Sequence, residues 1–199
     1  PINLVEHKTA GAPLRSELVT KSLVAGVIGM LAVMVFMILY YHLAGVVASA
    51  ALIVYSLINI AIFKLSAVTP WTIVLTLAGI AGFILSIGMA VDANILIFER
   101  MKEEARNGRD LASALKAVFT RAWSSIRDSN ISTLITCFIF YNFGSSIIKG
   151  FAVTLAIGVL VSMFTAITIS RTFLQFVIST RFGQDPKRYG ITVDEEAKS

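Results

Sequence analysis

The chain has 199 residues, of which 56% are hydrophobic and 15% are charged, with a mean hydropathy of +0.80. Soluble domains average about 25% charged residues, and the apolar residues here run continuously, which predicts a membrane protein with several spans. The net charge of +5 does not indicate a nucleic-acid partner, because no basic stretch carries interleaved aromatic residues. In a membrane protein such charge is typical of cytoplasmic loops.

Composition and motifs also argue against an enzyme. The single cysteine, Cys137, lies in an apolar stretch, so neither an internal disulfide nor a zinc site is expected. Paired carboxylates, a nucleophile motif and a phosphate-binding loop are absent from the sequence, and Gly79, Gly82 and Gly88 do not fit the dinucleotide-binding spacing. We therefore predict no catalytic activity, no metal and no cofactor.

The fold predicted is an all-α membrane bundle of five transmembrane helices within residues 22–180. A helix needs about 20 apolar residues to cross a bilayer. The predicted spans cover residues 23–43, 46–63, 71–98, 129–143 and 149–178. Residues 1–21 are expected to be an extracytoplasmic connector, and because the first residue is Pro1 we expect a piece of a longer protein. Residues 99–128 are predicted to be a cytoplasmic loop, and residues 181–199 a cytoplasmic tail.

Shorter signals refine the connections between spans. His42 follows two tyrosines where an interfacial aromatic belt is expected, and Gly45 permits a tight turn into the second span. Pro70 precedes the third span, as proline often does at a helix start. Asn107-Gly108 is typical of a turn, after which Asp110 is expected to cap a helix.

The helix after Asp110 is predicted to be a separate amphipathic element between the third and fourth spans. Apolar residues recur at helical spacing along it: Leu111, Leu115, Val118, Phe119, Ala122 and Ile126. Such a helix can lie on the inner membrane surface or pack beneath the bundle, and the pattern favours neither.

Lysine and arginine predict the orientation. The loop at residues 99–128 holds seven of them, whereas the loops on the other side contribute only Lys64 and Lys149. The positive-inside rule then places this loop and the C-terminus in the cytoplasm and the N-terminus of the chain outside.

Asp92 is the outstanding functional candidate. It lies in the apolar run that begins near Trp71. A charge at the middle of a span costs roughly 2.5–3.5 kcal/mol on insertion scales, so a carboxylate there is a functional-site candidate by default. Burial favours the protonated acid and an approaching cation favours the carboxylate. We predict that Asp92 binds and releases protons; the alternative is an acid that makes structural hydrogen bonds.

Polar and small residues near Asp92 suggest a supporting path and close helix packing. A polar stripe at the start of the fourth span is expected to face the interior, although hydroxyls can also bond back to their own helix. The supporting residues are Asn94, Asp128, Asn130, Ser132 and Thr133. Rows of small residues let helices approach closely in lipid. The predicted packing residues are Gly82, Ser86, Gly88, Gly150 and Gly158.

Three stretches together resemble the SecD family of protein-export membrane proteins. The first runs through Ser86–Asn94 and Phe98–Glu104, the second through Ile126–Ile135, and the third through Phe143–Leu155. Their order and spacing cover about residues 78–171. In the third stretch Ser146 and Ile147 stand where relatives usually have glycine and proline.

The resemblance implies half of a resistance-nodulation-division-type transporter, of which this chain holds spans two to six. It implies a SecF partner, separate or fused, and work beside the SecYEG channel in the cell inner membrane. It also implies use of the proton-motive force to draw preproteins across, through an external domain outside this chain. Asp92 matches the family's intramembrane acid, and Asp128 and Asn130 match its second motif.

Two other functions are compatible with the sequence. One is a scaffold that steadies the translocon without moving ions. The other is half of a related proton-driven exporter of small or lipidic molecules. The residues of the chain do not distinguish a proton from a sodium ion as the coupling ion.

Overall fold

The computed structural model describes the backbone of residues 12–66, 68, 76–180 and 189, and the side chains of those residues from 17 onward. Three predicted parts lie outside the described residues. They are the first eleven residues of the connector, the start of the third span at residues 71–75, and nearly all of the tail. Within the described ranges the long regular elements are helices. They are α1 (Ala12–Tyr41), α2 (Leu43–Ser66), α3 (Leu77–Arg106), α4 (Leu111–Phe143), α5 (Ser146–Phe164), a π-helical segment (Thr165–Ser170) and α6 (Arg171–Ser179).

Four helical stretches are long and apolar enough to cross a membrane: Glu17–Tyr41, Leu43–Ser66, Leu77–Arg106 and Ser146–Ser179. The last stretch is one continuous helical segment made of α5, the π segment and α6. The all-helical membrane bundle is confirmed, and four of the five predicted spans meet the length and composition of a membrane-crossing helix. The predicted span at residues 129–143 is the second half of α4, whose charged and hydroxyl residues keep it below the composition of a typical span.

The prediction that the amphipathic helix is separate from the fourth span is corrected. Residues 111–143 form one continuous helix of 33 residues, so the Arg127-Asp128 pair does not mark a boundary. The predicted apolar stripe is nevertheless buried, from Leu111 to Ile126, and belongs to the main hydrophobic core. This stripe packs against the other helices because α3 continues to Arg106 and provides an apolar surface for it.

Helices α3 and α5 make the most extensive interhelical contact. A Cβ atom on Gly82 would lie 2.7 Å from Thr154 Oγ1 and 2.8 Å from the Phe151 carbonyl oxygen. A Cβ atom on Gly150 would lie 2.8 Å from the Thr76 hydroxyl, which caps α3 by accepting from Gly79 N. Glycine therefore brings the two backbones together at this end of the bundle.

The same packing continues one turn deeper. A Cβ atom on Gly158 would overlap Ser86 Oγ, which is hydrogen-bonded to Tyr55 Oη at 2.6 Å. Gly88, by contrast, is exposed, and a Cβ atom there would meet no atom within 4 Å. The predicted packing role of Gly88 is therefore not supported within the described chain.

The turn between α1 and α2 depends on His42, which has a left-handed φ of 49°. The predicted turn at Gly45 lies instead inside α2, where a Cβ atom would overlap the Met37 carbonyl group. Gly45 thus permits close packing of the two helices rather than the turn itself. Most of α1 is exposed, apart from residues near this end such as Met37 and Tyr41.

Candidate functional site

Asp92 lies near the middle of α3 and lines a cleft between α3 and α4. The cleft is open on one side and has a volume of about 130 Å³. Helix α3 contributes Met89, Ala93 and Leu96 to its wall, and helix α4 contributes Ser125, Ile126, Ser129 and Asn130. Asp92, Ser125 and Ser129 are exposed, whereas Asn130 is buried, so the carboxyl group lies in an open cleft beside α4.

The carboxylate of Asp92 has no protein partner in the part of the chain that the structure describes: it makes neither a hydrogen bond nor an ion pair there. Arg127 of α4 does not line the cleft and is paired with Asp128, with a 2.9 Å contact between Arg127 Nη2 and Asp128 Oδ1.

Of the predicted supporting residues on α4, Asn130 alone lines the cleft with Asp92, and its side chain is buried. Asp128 is exposed and paired with Arg127. The hydroxyls of Ser132 and Thr133 donate to the carbonyl oxygens of Asp128 and Ser129. These two hydroxyls bond back to their own helix, so the structure does not bring them to the Asp92 cleft.

Asn94 points to a different part of the bundle. Its Oδ1 accepts a 2.6 Å hydrogen bond from Ser170 Oγ, and its Nδ2 donates to the Ala90 carbonyl oxygen. Ser170 ends the π segment Thr165–Ser170, and π-helical turns inside α-helices are frequent at functional sites. Asn94 thus connects α3 to the α5–α6 path, away from the carboxylate.

Ser125 and Ser129 belong to the cleft but not to the predicted site. Ser125 falls in the predicted cytoplasmic loop at residues 99–128, which hides its relation to the membrane helices. The available signal is the four-residue spacing of Arg121, Ser125 and Ser129, which places three polar side chains on one face of a helix.

Charged residues hold the ends of α3 and α4 together near the Asn107-Gly108 turn. The buried carboxylate of Glu104 accepts from Arg109 at 3.0 Å and from Arg121 at 2.8 Å. On the other side of α3, the ammonium group of Lys102 lies 4.5 Å from the centroid of the Tyr41 ring. These contacts fix α3 relative to α4 and to the α1–α2 turn.

The site contains one carboxylate with hydroxyl and amide neighbours. Among the described residues, no three His, Cys, Asp or Glu side chains are grouped so that they can hold a metal ion. Fold and site together define an all-α membrane domain with an ionisable group near the middle of α3, in an open cleft beside α4.

Comparison with known proteins identifies the family. The family model described as protein export membrane protein SecD/SecF, C-terminal, matches residues 2–180. The protein translocase subunit SecD of Thermobaculum terrenum is 57% identical over 183 residues, which are 90% of this chain and 35% of that protein. SecD of a Synechocystis species is 52% identical over 95% of this chain and 39% of its own length.

Solved structures agree with this assignment. The crystal structure of SecDF from Thermus thermophilus, described as a translocon-associated membrane protein, has a TM-score of 0.75 and 35% identity. The match covers 80% of this chain and 22% of that one. SecDF in a super-membrane-facing form gives a TM-score of 0.73, also at 35% identity, with 82% and 22% covered.

The chain belongs to the SecD/SecF family, and within it matches the C-terminal membrane region of SecD. The predicted resemblance is thereby confirmed. The chain spans somewhat more than a third of the two curated relatives described above. Its fold and family are established over that region.

Proposed function

We propose that this chain is the membrane-embedded part of a SecD-like subunit that uses the proton-motive force to assist protein translocation. Asp92 is its proton-binding group. SecF, separate or fused, completes the transport unit, and SecYEG is the channel beside which it works. The preprotein contacts an external domain beyond the residues of this chain.

The observation that carries the proposal is the setting of Asp92. A carboxylate is costly at the middle of a membrane helix unless it is paired, hydrated or protonated. Asp92 has no ion-pair partner among the described residues, and it opens into a cleft shared with Ser125, Ser129 and Asn130. A purely structural acid would be expected to bond to one of these neighbours, as Asn94 bonds to Ser170.

The charge of Asp92 couples proton binding to helix packing. When Asp92 is protonated the cleft is neutral, and apolar surfaces of the partner half can pack against it. When Asp92 is a carboxylate the cleft attracts water or a cation of the partner half. A cycle of protonation thus changes the free-energy difference between two packings of the helices, which is the requirement for coupling.

We also propose the orientation with the α3–α4 connection and the C-terminus in the cytoplasm, which is supported by the positive-inside rule. This connection carries Arg106 and Arg109, whereas the α4–α5 connection is followed by Lys149 alone.

The test is Asp92→Asn in the full-length protein with its SecF partner, in membrane vesicles with an imposed proton gradient. The substitution keeps the shape of the side chain and removes titration. We expect proton-driven export to be lost while the complex still assembles. Asp110→Asn is the matched control, because Asp110 is exposed at the start of α4 and its side chain makes no capping bond.

Undiminished proton-driven export by the Asp92→Asn protein contradicts the proposal. Proton flux through liposomes that contain the wild-type complex separates the alternatives. No flux with the wild type supports a scaffold that moves no ions. The exporter alternative has less support, because the relatives described above are named as protein translocase subunits.

A further inference from the structure

A largely apolar pocket lies among α1, α2 and α3, apart from the cleft that holds Asp92. It has a volume of about 450 Å³. Its wall includes Val27 of α1, Ile60 of α2 and Ile80 of α3, and the polar side chains among the described lining residues are Ser56 and Lys64. We call it the three-helix pocket. Apolar walls, a few placed polar groups and a volume of about 300–1,000 Å³ are typical of ligand pockets.

Helix α1 closes two sides of the three-helix pocket. A Cβ atom on Gly26 of α1 would lie 3.2 Å from the side chain of Ile84 in α3, so these two helices touch there. The hydroxyl of Ser56 in α2 makes a 3.3 Å contact with Met30 Sδ of α1 and also donates to a carbonyl oxygen of its own helix. Ser56 therefore has its partners within the protein, which leaves Lys64 as the polar lining group available to a ligand.

Helices α2 and α3 meet at the third side of the pocket, where the rings of Phe63 and Phe83 pack edge to face with centroids 5.8 Å apart. Contacts between every pair of the three helices leave too little width for a further transmembrane helix, whose diameter with side chains is about 10–12 Å. The open part of the pocket is bordered by apolar side chains that are about half exposed, such as Val27 and Ile60. The space therefore suits a single flexible hydrocarbon chain.

Lys64 lies in the last turn of α2, at one end of the three-helix pocket. From Ser56 to Lys64 the helix rises about 12 Å, at about 1.5 Å per residue. One leaflet contributes about 15 Å, which is half of the hydrocarbon core of a bilayer. The pocket therefore extends from the membrane surface through most of one leaflet, on the side of the connection between α2 and α3.

The charge of Lys64 indicates the head group of the occupant. Its side chain is exposed, and its ammonium group makes no ion pair with any residue that the structure describes. Lys21, near the start of α1, differs because it is paired with Glu17 at 2.8 Å. Lysine binds phosphate groups as a point charge, and basic residues at the ends of transmembrane helices attract anionic lipids. A hydrocarbon chain with a negatively charged head group thus matches both ends of the pocket.

We propose that the three-helix pocket binds an anionic phospholipid, with one acyl chain among α1, α2 and α3 and the phosphate at the ammonium group of Lys64. The acyl chain covers apolar surface that the three helices leave open, and the phosphate neutralises the lysine. Helix α1 is otherwise buried mainly near Met37 and Tyr41, so the lipid adds contacts that hold its first half against α2 and α3. The inference does not depend on the role of Asp92.

The test is lipid binding by the full-length protein with its SecF partner, purified in detergent and stripped of native lipid. Native mass spectrometry counts the lipids bound during a titration with phosphatidylglycerol. Phosphatidylcholine with the same acyl chains is the second probe, because its head group has no net charge. We expect the wild-type protein to bind one phosphatidylglycerol about fivefold more tightly than phosphatidylcholine.

Two pairs of variants locate the binding site. Lys64→Gln removes the charge and is expected to weaken phosphatidylglycerol binding about fivefold. Lys149→Gln is its control, because Lys149 is an exposed lysine in the first turn of α5, outside the pocket. Val27→Trp fills the pocket and is expected to lose the bound lipid. Val24→Trp adds the same bulk to an equally exposed position of α1 outside the pocket, and both control variants are expected to bind as the wild type does.

The inference is overturned if Lys64→Gln or Val27→Trp binds phosphatidylglycerol as tightly as the wild type, or if the wild type binds the two lipids equally. It is also overturned if the stripped wild type takes up no lipid and Val27→Trp lowers the melting temperature while Val24→Trp does not, because a protein segment then occupies the pocket. Lys64→Gln changes an exposed side chain, so it gives a result even where Val27→Trp fails to fold. Each of these outcomes leaves the proposed role of Asp92 unchanged, since that role is tested by proton-driven export.

Discussion

Ser170 Oγ donates a 2.6 Å hydrogen bond to Asn94 Oδ1, and both side chains are buried. The bond joins the end of the π segment to the part of α3 that carries Asp92, two positions before Asn94. One side of α3 is thus fixed to the α5–α6 path, whereas the side with Asp92 opens to the cleft with α4. A change in the packing of the π segment therefore acts on α3 two positions from Asp92.

The first prediction concerns this bond. Ser170→Ala leaves Asn94 Oδ1 buried without its partner, which costs about 1–3 kcal/mol of unfolding free energy. A double-mutant cycle with Asn94→Ala is expected to give a coupling energy of about 0.6–1.7 kcal/mol, the range measured for interhelical hydrogen bonds in membranes. Thermal or denaturant unfolding of the purified full-length protein in detergent measures both quantities.

Ser162→Ala is the control for this cycle. Ser162 is equally buried, but its hydroxyl donates to the Val159 carbonyl oxygen of its own helix. Its coupling with Asn94→Ala is therefore expected to be close to zero. Equal coupling for Ser162 and Ser170 contradicts a specific bond between the π segment and α3.

The second prediction compares two glycines. Gly158→Ala places a methyl group against Ser86 Oγ and 3.0 Å from Tyr55 Oη, so it is expected to lower the unfolding free energy by about 1–3 kcal/mol. Gly88→Ala meets no neighbour within 4 Å and replaces a poor helix former, so no loss of stability is expected. Thermal unfolding of the two variants side by side checks the difference, and equal destabilisation contradicts the close approach of α3 and α5 at Gly158.

The third prediction concerns the contact between the ends of α3 and α4. Glu104→Gln weakens the pairs with Arg109 and Arg121 at a carboxylate whose side chain is 12% exposed, and a loss of about 1.5–3 kcal/mol is expected. Glu103→Gln removes a pair with Arg100 in which both side chains are more than half exposed. Such surface pairs contribute about 0–1 kcal/mol, so a similar loss in both variants contradicts the structural role of Glu104.

Several features of the fold can be predicted from the sequence because their amino-acid composition differs from that of the neighbouring segments. Long apolar runs identify α1, α2 and α3, and the lone carboxylate in such a run identifies Asp92. The continuity of α4 is not predictable in the same way. Arg127 and Asp128 are typical of a span boundary, and the fact that they pair on the surface of one helix is a tertiary result.

The remaining misses have a common cause, which is that side-chain direction depends on neighbours distant in sequence. Ser125, Ser132 and Thr133 have similar chemistry, but only Ser125 faces α3; the other two bond to their own helix. The π segment Thr165–Ser170 has the composition of an ordinary apolar helix, and nothing in it predicts an extra residue in the turn.

The fourth prediction uses the one supporting residue that the structure places beside Asp92. Asn130→Asp introduces a second carboxylate into the same cavity. Two like charges in one cleft repel each other, so proton-driven export is expected to fall about tenfold, which corresponds to about 1.4 kcal/mol. Ser132→Asp adds the same charge on an exposed part of α4 outside the cavity, where a smaller loss is expected. Export assays in vesicles with a fixed proton gradient compare the two variants; an equal loss for both, or normal export by Asn130→Asp, contradicts the placement of Asn130 next to Asp92.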